Sequence, residues 1–177
     1  VSDEHVLRAA MRHAYHRKGV NYIRSTRKDV PALYESESDI EIGKGNVLND
    51  GETLTIIASG ICVHDALEAA EIIENNTDAT VAVIDMHTIK PLDTELVVKY
   101  AQKTGRVITI ENHNTIGGLG DAVASELLSS GVALKQFHKL GVNEQYGQVG
   151  SLDYLKDAYG ISAERIADFC FSVLADK

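Results

Sequence analysis

From residue 53 onward, short apolar runs alternate with stretches whose apolar residues recur at helical spacing, and that alternation narrows the fold to a layered α/β domain. Residues 53–58, 80–84 and 106–110 are strand-sized and almost wholly apolar or β-branched. Near-continuous runs of this kind suit strands covered on both faces. Between them lies a helical pattern over 63–75, with Ala66, Ala69, Ala70 and Ile73 inward, and another over 94–103. Asp93 caps the second and Gly105 ends it. A helix over 117–129, a fourth strand over 134–140 and two closing helices, capped by Ser151 and Ser162, complete the series. Right-handed crossovers then give a three-layer αβα domain with a mostly parallel, doubly wound sheet.

The upstream part reads differently. Ser2 and Asp3 offer an N-cap to a helix with an apolar stripe at Val6, Leu7, Ala10, Met11 and Ala14, ended by Gly19. Residues 20–24 read as a strand, 27–38 as a polar linker containing Pro31, and 40–46 as a further strand before a tight turn at Asn49, Asp50 and Gly51. A lone helix and strand bury no core of their own. The expectation is therefore two units: residues 1–35 as the end of a different domain plus linker, and 36–177 as a complete domain. The chain starts at Val1 and runs directly into a helical pattern, as a cut would leave it.

Composition excludes several functions. The net charge is −9, and no Lys/Arg block is present to track a phosphate backbone, so no nucleic-acid partner is expected. The two cysteines, Cys62 and Cys170, form no CxxC and no zinc pattern, which points to a reducing, cytoplasmic setting. No apolar run reaches membrane-spanning length, and no signal-peptide pattern opens the chain.

In doubly wound sheets, ligands sit beyond the carboxyl ends of the strands. Those ends carry Asp85 and His87, then Glu111 and His113. The four could gather around a ligand or metal, or they could cap loops and meet a partner. Gly117 and Gly118 open a helix, where glycines either bring amides to an anion or let the loop approach neighbouring backbone. His13 and His16 lie one turn apart, as a metal pair or as solvated residues. Cys62 lies near a helix start with no base placed beside it. Arg24 and Arg27 close the upstream unit. Their guanidinium forks suit phosphate oxygens or the acidic linker at Glu35 and Glu37.

Residues 53–59 are followed by V-I-D-M-H-T-I-K-P-L-D at 83–93, V-I-T-I-E-N-H at 107–113 and G-G-L-G at 117–120. In this order the segments resemble the C-terminal domain of the transketolase superfamily. Residues 8–27 look like the last helix and strand of that superfamily's pyrimidine-binding domain. Residues 141–151 look like a transketolase ending, with Glu144 where Asp is common and Val149 where Ser is common. The short form most resembles the C-terminal half of a split, two-subunit transketolase. The β-subunit of a 2-oxo acid dehydrogenase and deoxyxylulose-phosphate synthase are the neighbouring alternatives. A regulatory ligand-binding module is the alternative of another class.

The resemblance implies transfer of a two-carbon ketol unit between sugar phosphates, as in the pentose phosphate pathway. It implies thiamine diphosphate with Mg or Ca in the intact enzyme, held by upstream thiamine-binding domains or a partner subunit in a homodimer or heterotetramer. It assigns the sugar phosphate to Arg27, with Arg24 as second candidate. The chain lacks a Gly-Asp-Gly motif with a following Asn ligand, so no catalytic residue, metal or cofactor is assigned to the fragment itself. Its expected role is structural and dimerising.

Overall fold

The computed structural model describes residues 1–176. A five-stranded sheet forms the middle layer, in the order β1-β3-β2-β4-β5. Strands β2 (Leu54–Ala58), β3 (Val81–Asp85), β4 (Arg106–Asn114) and β5 (Gln136–Val142) run parallel. Strand β1 (Asn46–Asn49) pairs antiparallel with β3 at the edge. The mostly parallel sheet matches the sequence reading, with one antiparallel edge added.

Helix α2 (Cys62–Asn76) carries the chain from β2 to β3 on one face, and α6 (Ala163–Ala175) packs beside it. Helices α3 (Thr94–Thr104) and α4 (Leu119–Ser129) cover the other face. A short α5 (Leu152–Ala158) leads into α6. The period of two in each strand divides the core cleanly. Ile56, Ile108 and Ile110 face α2 and α6, where they meet Ala66, Ile73 and Ile166. Ile57, Ile84 and Val107 face α3 and α4, where they meet Val97, Leu119 and Val123. All twelve are fully buried. The caps read from sequence are in place: Asp93, Ser151 and Ser162 accept from Leu96, Tyr154 and Arg165 amides.

The N-terminal helix α1 (Glu4–His16) forms as its pattern requires, capped by Asp3, which accepts from Val6 N–H at 2.9 Å. Its apolar stripe is only partly covered: Val6 is buried, Leu7, Ala10 and Ala14 are half-buried, and Met11 is exposed. Two predicted strands are absent. Residues 20–24 are unpaired coil, and no strand lies beside them among the described residues. Residues 40–45 are turn and coil, and β1 begins only at Asn46, where β3 offers an edge. The turn at Asn49, Asp50 and Gly51 is therefore not a hairpin: it passes the chain from β1 across β3 to β2. No helix among the described residues is long and apolar enough to cross a membrane.

Candidate functional site at the carboxyl ends of the strands

Chain direction reverses its sense of travel across the sheet at β2, whose neighbours are β3 and β4. The crevice at the carboxyl ends of these three strands is where such folds hold ligands. Here the chain's own N-terminal segment lies across it. The Ser2 hydroxyl donates to Asp85 Oδ2 at 2.5 Å, and the Tyr34 hydroxyl donates to the same oxygen at 2.9 Å. The Ser2 carbonyl lies 3.2 Å from His64 Nε2 on α2. The Arg24 guanidinium donates to Asn112 Oδ1 at 2.7 Å and to its carbonyl at 3.3 Å. Asp3 ties the segment together, its Oδ2 accepting from the amides of Leu33 and Tyr34 at 2.9 and 3.1 Å.

Asp85, Ser2 and Tyr34 are all buried. Burial raises the Asp85 carboxyl to about 6, against the opposing pull of the Ser2 and Tyr34 hydrogen bonds and the Val1 amino group. Its second oxygen, Oδ1, has no hydrogen-bond partner among the described residues. Burial likewise pushes the Tyr34 hydroxyl upward, aided by Asp85. The paired hydroxyls therefore act as donors to a carboxylate held away from water.

The four strand-end candidates do not form one cluster. Strand β2 separates β3 from β4, so their ends stand about 10 Å apart. His87 is half-buried, between Thr88 Oγ1 at 3.0 Å and Asn46 Oδ1 at 3.2 Å, and desolvation lowers its pKa to about 4. Glu111 is buried on the opposite face from Asn112 and accepts from Leu119 and Gly120 amides at 2.8 and 2.9 Å. The start of α4 is thus already occupied by a carboxylate. A Cβ on Gly118 would overlap that carboxylate, so Gly118 serves close approach. Gly117 is exposed, with its amide on Asp121 Oδ2 at 2.7 Å. His113 is exposed, 3.9 Å from Glu111 Oε2.

Among the described residues, no three His, Cys, Asp or Glu side chains are grouped to hold a metal ion, His13 and His16 included. Cys62 and Cys170 are buried, and desolvation pushes both thiols up to about 12. Arg27 lies exposed in the coil between Arg24 and Tyr34. The acidic linker does not engage either arginine: Glu37 pairs with Arg12 at 2.5 Å.

Sequence reasoning missed Asn112, Tyr34 and the role of Ser2. Of the two cap candidates, Ser2 and Asp3, it is Asp3 that caps α1, while Ser2 turns to Asp85. One signal was available for Tyr34: a large aromatic inside an otherwise polar linker needs a surface to cover it. Asn112 carried no local signal, because its partner is 88 positions away.

The family of transketolase C-terminal domains matches residues 43–166. A protein of Methanocaldococcus jannaschii, provisionally described as a transketolase C-terminal section, is 43% identical over 85% of this chain and 46% of its own length. A 6-deoxy-6-sulfo-D-fructose transketolase subunit from a Clostridium species is 38% identical over 99% of this chain and 53% of its own. A 1-deoxy-D-xylulose-5-phosphate synthase of Heliobacterium modesticaldum is 36% identical, but the chain covers only 26% of it. Among solved structures, a split-gene transketolase in an inactive β4 tetramer aligns with a TM-score of 0.88 at 37% identity, over 98% of this chain and 55% of that one. The chain therefore spans about half the length of the transketolase-section relatives that it matches almost throughout. On its fold and on these matches together, this chain belongs to the transketolase C-terminal domain family.

Proposed function

We propose that this chain is the C-terminal part of a thiamine-diphosphate-dependent transketolase that moves a two-carbon ketol unit between sugar phosphates. The observation that carries this reading is the closed crevice: the place where a doubly wound sheet would take a ligand is filled by Ser2, Arg24 and Tyr34. A domain closed in this way suits scaffolding better than ligand sensing. Relatives of about twice its length, matched nearly throughout, favour a transketolase subunit over a deoxyxylulose-phosphate synthase, of which it covers a quarter.

The residues present do not fit thiamine diphosphate or its metal. The start of α4 is taken by Glu111, and the strand-end carboxylates Asp85 and Glu111 are spent on internal donors. Cofactor binding is assigned to the rest of the intact enzyme. This chain's contribution is to build the assembly and to present Arg27. An exposed guanidinium offers a planar fork of donors to the phosphate of a sugar substrate.

In the intact enzyme, Arg27→Ala is expected to raise the KM for sugar phosphates. A hydrogen bond to a charged group contributes about 1.5–3 kcal/mol, so kcat/KM should fall roughly ten- to hundredfold. Steady-state kinetics with a ketose phosphate donor and an aldose phosphate acceptor read this directly. An unchanged kcat/KM would remove the phosphate role from Arg27.

A further inference from the structure

Arg27 sits in a stretch of coil that is fastened at both ends to the α/β domain. On one side, Arg24 reaches the end of β4 through two hydrogen bonds to Asn112, at 2.7 and 3.3 Å. On the other, the Tyr34 hydroxyl reaches the end of β3 through Asp85, at 2.9 Å, from a buried position. The two anchors straddle β2, the central strand of the crevice. Asp3 closes the base of the loop by accepting from the Leu33 and Tyr34 amides. Both anchors lie at the ends of strands whose bodies are packed into the core, so the span between them is held on that packed base.

We infer that the α/β domain positions the Arg27 arm for its substrate, with Asn112 and Asp85 as the two fastening points and Arg24 and Tyr34 as their partners. This rests on the assignment of Arg27 to the substrate phosphate. It gives the domain a task beyond assembly: Asn112 and Asp85 touch no substrate, and they act through the arm. A guanidinium recognises phosphate through two parallel hydrogen bonds, whose geometry a loosened arm would spoil. Displacements of about 1 Å from groups far from the chemistry are known to cost as much as a hundredfold in rate.

The same contacts could simply hold the linker down. The two roles differ in what they discriminate. A positioning role acts on phosphorylated substrates and spares an unphosphorylated ketose donor, whereas a loss of general order affects both.

The experiment uses the intact, cofactor-loaded enzyme with Asn112→Ala, Asn112→Asp, Tyr34→Phe and Arg27→Ala. The KM and kcat of each are measured with a phosphorylated and an unphosphorylated donor. Asn112→Ala and Tyr34→Phe are expected to raise the KM for the phosphorylated donor about tenfold and to leave the other donor unchanged. Asn112→Asp keeps an acceptor for Arg24 and should restore the parent value. Should Asn112→Ala fail to assemble, Arg24→Lys breaks the same contact from the other partner. If Arg27→Ala selectively impairs the phosphorylated donor while Asn112→Ala and Tyr34→Phe do not, the positioning inference is overturned and the phosphate reading stands. If Arg27→Ala itself shows no selectivity, the phosphate reading falls and takes the inference with it.

Discussion

Asp85 shows how much one residue is asked to do at a strand end. Its carboxyl group is fully buried, receives two hydroxyl donors through one oxygen and leaves the other without a partner. Desolvation raises it from an ordinary value of 3.8 to about 6, with Asp3 nearby adding to the rise and the Val1 amino group opposing it. A raised carboxyl means that the folded state holds the proton more tightly than the unfolded chain. Its contribution to stability is therefore full below pH 3.8 and is lost as the pH rises to 6 and beyond. The difference corresponds to about 3 kcal/mol. Asp85→Asn keeps the shape and an acceptor but cannot ionise. Urea unfolding at steps between pH 4 and 7 should show the parent losing stability relative to Asp85→Asn by roughly that amount. Parallel curves for the two proteins would mean that Asp85 is already neutral or already solvated. Glu111 answers the same burial differently. Two amides at the start of α4 donate to it, so one acid is stabilised by backbone and the other by side-chain hydroxyls.

At the scale of elements, the edge strand β1 is the part whose placement depends on one close approach. It leaves β3 at Asn49, and two positions later Gly51 is buried against the backbone of Val81 and Ala82. A Cβ there would stand 2.5 Å from Ala82 N and 2.6 Å from Val81 N. Backbone inside a paired strand cannot move aside as a flexible side chain can. Gly51→Ala is expected to cost about 3 kcal/mol, at the upper end of overpacking effects. Hydrogen exchange should locate the damage in β1 and the start of β3, and an unperturbed β1 would show that the turn can rebuild around a methyl group. The crossover helices are legible in the sequence because each carries its own apolar periodicity, and α3 also its cap at Asp93 and its stop at Gly105. Strand β1 lies at Asn46–Asn49 and not over 40–46 as the residues suggest, because an edge strand takes its position from its neighbour. Residues 20–24 illustrate the same point, since they have strand composition but no edge to join and form coil.

Considered as a whole molecule, the chain has a closed half and an open half. Strands β2 and β3 are buried throughout, and the two core clusters on either face of the sheet bury most of the apolar surface of α2, α3, α4 and α6. Helix α1 and the coil after it do not: Met11, Tyr15, Val20 and Tyr22 are 59%, 85%, 98% and 86% exposed. Met11 and Tyr15 are four positions apart and share one helix face. This is the surface that the proposed function gives to the rest of the enzyme, upstream domain or partner subunit. Met11→Lys combined with Tyr15→Lys should leave the unfolding midpoint of this chain unchanged and weaken assembly of the intact enzyme about tenfold. Sedimentation velocity across a concentration series measures this, and an unaltered association would place the contact elsewhere.

The α/β alternation, the caps at Asp93, Ser151 and Ser162 and the family resemblance are all legible in the residues alone. Each of these is written in local spacing or in short motifs, where the physics acts over a few residues. Which polar residues meet follows from the folded chain and from nothing shorter. Asn112 and Arg24 lie 88 positions apart, and Ser2 and Asp85 lie 83 apart. No periodicity records such a pairing, because it exists only after the sheet has brought two strand ends beneath one loop. Sequence spacing likewise offered Asp85, His87, Glu111 and His113 as one site. The strand order put β2 between them and turned them into separate fastenings.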